Sequence, residues 1–165
     1  MHDQDHLDFI QSQWLREKPS LDTRSMGLVG RMYRLQHLIR DEIDECHKAF
    51  GLRSGEFDVL ATLLRAGEPW CLTPTALFQA AMLSSGAMTN RLNRLEEAGL
   101  IRREAAPDDR RSLLVILTAE GKEKIDQAIE AHVATLDRVT SILSEQQTQH
   151  MDQLLKDWLR GLEQL

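Results

Sequence analysis

Ser84-Ser85-Gly86-Ala87-Met88-Thr89-Asn90-Arg91-Leu92-Asn93-Arg94-Leu95-Glu96-Glu97-Ala98-Gly99-Leu100-Ile101 is the most informative run in this chain. Met88, Leu92 and Leu95 recur at helical spacing, so on a helix turning about 100° per residue they share one inward face. Gly86, Thr89, Asn90 and Asn93 then project the other way, Ser84 or Ser85 caps the start, and Gly99 marks the end. Asn can bond adenine edges bidentately, Thr can bond a base or touch a thymine methyl, and Gly86 lets a backbone approach closely, so this face suits a DNA major groove. Ser84, Ser85 and the helix N-terminus can hold a phosphate, with Arg94 on the same surface. Glu96 and Glu97 come only at the far end. The alternative reading is a polar face that is simply solvated.

On the upstream side, Thr73 offers an N-cap with Pro74 at the first helical position, opening a short helix over Ala76, Leu77, Ala80 and Ala81. Before it, Phe57, Leu60, Ala61 and Leu64 make another helix, closed by Arg65 to Pro69. Downstream, Leu100 to Arg103 and Leu113 to Leu117 are β-prone runs joined by a Pro/Asp turn with Arg110 and Arg111 at its tip, which predicts a hairpin. Thr118 then caps a helix running to about Thr140 on Ile125, Ile129, His132, Leu136 and Val139, and a last helix follows on Met151, Leu154, Leu155, Trp158, Leu162 and Leu165. At the other end, Leu7, Ile10 and Trp14 make a short amphipathic helix broken at Lys18-Pro19-Ser20. A long helix follows on Leu28, Met32, Leu35, Ile39, Ile43 and Cys46 and ends at Gly51. Three short helices and a hairpin between long terminal helices are the parts of a winged helix-turn-helix, so the expected fold is mainly α with a small β-hairpin.

The chain has 165 residues, 42% hydrophobic, 28% charged and 5% aromatic, which fits one soluble globular domain and leaves no room for a second large one. No apolar run reaches the roughly 18 residues of a membrane helix, and the acidic N-terminus lacks a secretory layout, so the expectation is a cytoplasmic protein without a membrane partner. The net charge of −6 argues against indiscriminate coating of nucleic acid. From residue 84 to 112 six arginines face five acids, so DNA affinity must come from placement rather than bulk charge. No phosphate loop, His-Glu-x-x-His, nucleophile elbow or Cys/His dyad is present, so no enzyme and no cofactor is expected. His2, Asp3 and His6 fall on one turn at a fraying terminus, and no metal site is assigned to them.

Phe57-Asp58-Val59-Leu60-Ala61-Thr62-Leu63, Leu72-Thr73-Pro74, the run from Ser84 to Ile101, and Pro107-Asp108-Asp109-Arg110-Arg111-Ser112 through Leu117-Thr118-Ala119-Glu120-Gly121 resemble the multiple-antibiotic-resistance regulator (MarR) family. The resemblance covers essentially the whole chain. It implies one domain with a winged lobe at 54–118, dimerisation helices at 1–50 and 119–165, and a homodimer that reads a palindromic DNA operator. It also implies that the Asp109 and Arg111 pair at the wing places its arginine in the minor groove, beside Arg110. A minor groove narrowed by A·T tracts attracts such a guanidinium.

Trp14, Asp58, Arg91 and Arg103 are similar in type and order to the effector residues of the family's urate-responsive branch. Asp58 sits between Phe57 and Val59 on a mostly apolar helix and needs a cationic partner. Arg91 lies roughly 70° from the centre of its helix's buried stripe, on a flank. The expectation is a repressor released when an anionic planar molecule such as urate stacks on Trp14, pairs with Arg91 and disturbs an Asp58–arginine bridge. The competing reading makes Trp14 an apolar anchor and Asp58 a structural ion pair. Other readings are redox sensing through Cys46, expected to be inert as a packed thiol at a helix C-terminus, and a helical protein-interaction module whose winged lobe does not bind DNA.

Overall fold

A computed structural model describes residues 4–53, 55–81, 88–106 and 112–164. The chain forms two compact units, Met1–Glu42 and Ile43–Leu165.

In the first unit, α1 (His6–Glu17) is opened by a reciprocal cap in which the Asp5 carboxylate accepts the Leu7 and Asp8 N–H groups and Asp8 accepts the Asp5 N–H. Arg31, on α2 (Arg24–Ala49), reaches both caps, its Nε 2.7 Å from Asp5 Oδ2 and its Nη2 2.6 Å from Asp8 Oδ1. This hydrogen bond holds the Asp5 carboxyl down at about 2. The helices approach closely because α2 carries Gly27 and Gly30 where they meet: a Cβ there would sit 2.6 Å from Gln11 Oε1 and 2.6 Å from a Leu7 methyl, respectively. Gln11 Nε2 also donates to the Thr23 carbonyl at 2.8 Å. Of the α2 stripe predicted from periodicity, Leu28, Met32 and Leu35 are exposed, whereas Ile39, Ile43 and Cys46 are half-buried.

The second unit contains α3 (Glu56–Arg65), β1 (Cys71–Leu72), α4 (Pro74–Ala80), α5 (Met88–Glu97), β2 (Ile101–Ala105), β3 (Leu113–Leu117), α6 (Ala119–Thr140) and α7 (Glu145–Glu163). The predicted caps at Thr73 and Thr118 are present, and the Ser84 or Ser85 cap of α5 lies outside the described residues. Thr73 accepts the Ala76 N–H at 3.2 Å with Pro74 at the first helical position, and Thr118 accepts the Gly121 N–H at 3.0 Å. Gly51 and Gly99 carry positive φ after α2 and α5, at the predicted ends.

The expected hairpin is part of a three-stranded antiparallel sheet ordered β1-β3-β2. Ile101 pairs with Leu117 and Ala105 with Leu113 across the hairpin, while Cys71 and Leu72 pair with Ile116 and Val115 on its other edge. Two residues are too few to show alternation, which is why β1 escapes a periodicity argument. Val59, Leu60, Leu63, Leu77, Leu95, Ile101, Val115 and Ile125 are almost fully buried, so α3, α4, α5, the hairpin and α6 share one core. In contrast, α7 buries none of its side chains within the chain. No described helix is long and apolar enough to cross a membrane.

Candidate nucleic-acid interface and effector site

The inward face of α5 is the predicted one, with Met88, Leu92 and Leu95 buried. Thr89 and Asn90 stand exposed on the other side, and Asn93 and Arg94 are half-buried on the flanks. The first turn of α5 contains no acid. Ser84, Ser85 and Gly86, and the wing residues Asp109, Arg110 and Arg111, lie outside the described residues.

Ion pairs hold α5 from both sides. On one flank the Arg91 guanidinium lies directly over Gly55, so any Cβ at that position would fall on it. One helical turn further along α5, Arg94 Nε donates to Glu56 Oε1 at 2.6 Å. On the opposite flank Glu96 accepts the Arg103 backbone N–H at 3.0 Å and Arg103 Nε at 2.9 Å, tying α5 to β2. The Arg103 hydrogen bonds keep the Glu96 carboxyl below the usual range, and Glu96 raises Arg103 in return.

The structure therefore gives Arg94 and Arg103, which the sequence marks for DNA and effector, carboxylate partners that spacing alone did not identify. Glu56 reads in sequence as an ordinary first-turn acid, and its partner lies 38 residues away. For Glu96 the only signal is its place on the flank facing a strand.

Of the effector candidates, Trp14 lies on α1 in the first unit and is more than a third exposed. Asp58 is half-buried on α3, one turn beyond the glycine that seats Arg91. Beside Asp58 is a cluster that no sequence signal assembled. His47, at the end of α2 and only 4% exposed, has its Nε2 3.1 Å from Nδ1 of His132 on α6. Both imidazoles pack on Phe57, with ring centroids 4.0 and 4.6 Å away. Burial pushes the His132 imidazole below its ordinary 6.5, while the Asp58 charge pulls it back up. Cys46 is half-buried rather than fully packed.

The sequence profile of the MarR family matches residues 50–112, the span from the end of α2 to the hairpin turn. Over 90% of this chain and 89% of the relative, it is 38% identical to the HTH-type transcriptional regulator PecS of Dickeya dadantii. The chain belongs to the MarR family. Solved structures of this family share the backbone as well. The chain superposes on Sco3205, a MarR family transcriptional regulator of Streptomyces coelicolor solved in complex with DNA, with a TM-score of 0.74 and 26% identity over 88% of this chain and 92% of that one. A mutant MarR of E. coli complexed with operator DNA gives 0.72 and 25% identity over 85% and 99%. This MarR-family chain is accordingly a transcriptional regulator with a winged-helix DNA-binding fold, and not an enzyme.

Proposed function

We propose that the protein is a dimeric, cytoplasmic repressor that binds a two-fold operator and is released by a small anionic or aromatic molecule such as urate. The observation that carries the DNA reading is α5, whose apolar stripe is buried while Thr89 and Asn90 face solvent without a neighbouring first-turn acid. Related regulators of the same fold have been solved in complex with DNA, which supports a DNA-binding role for this chain. Ser84, Ser85, Gly86 and Asn93 extend the major-groove surface with Arg94 against phosphate, and Asp109, Arg110 and Arg111 enter the minor groove.

The dimer reading rests on apolar side chains that the chain itself leaves uncovered. Leu28, Met32 and Leu35 on α2, and Met151, Leu154, Leu155, Leu159 and Leu162 on α7, are exposed at helical spacing. A monomer rarely leaves stripes of this kind in water. A second copy places a like stripe against each of them and joins two winged lobes into one two-fold reader.

The effector reading rests on Asp58, Arg91 and Arg103, all in the second unit. An anion drawn to Arg103 competes with the Glu96 carboxylate that ties α5 to β2, and so acts on the reading helix. Footprinting on the DNA upstream of the gene tests the whole proposal. A protected two-fold sequence of roughly 20 base pairs, lost when urate is added, is the expected result. Protection unaffected by urate would remove the ligand, and protection without two-fold symmetry would remove the dimeric reader.

A further inference from the structure

We propose that Glu56 is a positioning residue for DNA recognition: its buried carboxylate holds Arg94 in the orientation that meets the DNA backbone. The inference rests on the reading of Arg94 as a phosphate contact.

Glu56 is the first residue of α3, and its side chain is only 6% exposed. Burial of a carboxylate is costly unless its lone pairs are taken. Both oxygens are engaged. Oε2 accepts the Arg53 backbone N–H at 2.8 Å, and the Glu56 N–H donates to the Arg53 carbonyl at 3.0 Å, so the carboxylate is locked to its own turn. Oε1 accepts Arg94 Nε at 2.6 Å. The group is fixed before Arg94 meets it and cannot swing away to follow a mobile partner.

Arg94 differs from Glu56 in one respect that matters for function. About a third of its side chain, 36%, stays open to solvent. Its guanidinium is anchored through Nε, the atom nearest the chain, while the planar fork carries further donors on its Nη atoms. An arginine held at Nε has already lost most of its rotamer freedom, so less is lost again when the fork takes a phosphate. A lysine has a single nitrogen on a flexible stem, so anchoring and presentation fall on the same ammonium without a fixed fork.

The location also favours the reading. The pair ties the α5 flank to the start of α3, and Gly55, immediately before Glu56, provides the flat seat on which Arg91 lies. Two consecutive residues of one turn thus set both arginines on this flank. A purely stabilising role does not call for a buried carboxylate here, because replacing a buried pair by apolar groups is often neutral or stabilising.

The test measures operator and random-duplex affinity, each across a salt series, for wild type, Glu56→Gln, Arg94→Ala, Arg94→Lys and the double variant Glu56→Gln/Arg94→Ala. Each is measured at a temperature where its circular dichroism shows it folded. Glu56→Gln removes a negative charge, so electrostatics alone would raise affinity for both duplexes. The positioning role instead predicts that affinity falls about tenfold for the operator and for a random duplex alike, with a shallower salt dependence, and that Arg94→Lys behaves likewise. It also predicts that Glu56→Gln causes no further loss of affinity once Arg94 is alanine. If Arg94→Ala weakens operator binding but Glu56→Gln leaves operator affinity at or above the wild-type value, with only its urea midpoint lowered, the positioning role is overturned and the DNA contact stands. An Arg94→Ala protein with unchanged operator affinity and salt dependence overturns the contact and the inference together.

Discussion

Gly55 has φ +79°, and the Arg91 guanidinium occupies the space where a side chain would begin. Two separate penalties therefore meet in Gly55→Ala. The left-handed backbone alone costs an L-residue about 1–2 kcal/mol, and the methyl must displace Arg91. A loss of at least that size is expected in urea unfolding, with weaker DNA binding in the folded fraction; a stability change under about 0.5 kcal/mol would show that Arg91 does not rest there.

The His47–His132 pair predicts a pH effect of definite sign. Burial keeps His132 below its ordinary 6.5, so just below that pH the folded chain binds fewer protons than the unfolded one. The contribution to stability is complete above 6.5 and falls as the pH drops through the folded value. Urea midpoints at pH 8 and 5.5 should fall further for wild type than for His132→Gln, which keeps a hydrogen-bonding side chain without titrating. Equal falls would assign the acid sensitivity to other groups.

Among the elements, α5 was the most legible in sequence, because Met88, Leu92 and Leu95 carry both its period and its burial. Thr73-Pro74 and Thr118 fixed two helix starts for the same local reason, since a cap is satisfied by backbone two or three residues away. The cap on α6 is correspondingly testable. Thr118→Ala should cost about 1 kcal/mol in urea unfolding, and an unchanged midpoint would mean that the Gly121 N–H finds water equally well.

What was illegible depends on distant partners. The ion pair of Glu56 with Arg94 and the contact of His47 with His132 join residues 38 and 85 positions apart, and no period links them. The pairing of α1 with α2 left a fainter trace in Gly27 and Gly30, small residues set in a helix otherwise lined with bulky ones. Gly27→Val is expected to undock α1 and raise proteolysis near residues 18–23, whereas unchanged cleavage would show that α1 accommodates the bulk.

For the complete protein, the exposed stripes of α2 and α7 make an assembly prediction. Leu155→Glu combined with Leu159→Glu puts two charges on α7 where the proposed partner packs, so sedimentation should show monomer and operator binding should collapse. An intact dimer would move the interface elsewhere.

Operator reading itself is best addressed by fluorescence anisotropy on the DNA upstream of the gene, across a salt series, for wild type and Arg111→Ala. The expected result is tight binding that weakens steeply as salt rises and is greatly reduced without Arg111. Failure of the wild-type protein to bind any upstream or selected duplex at low salt would contradict it.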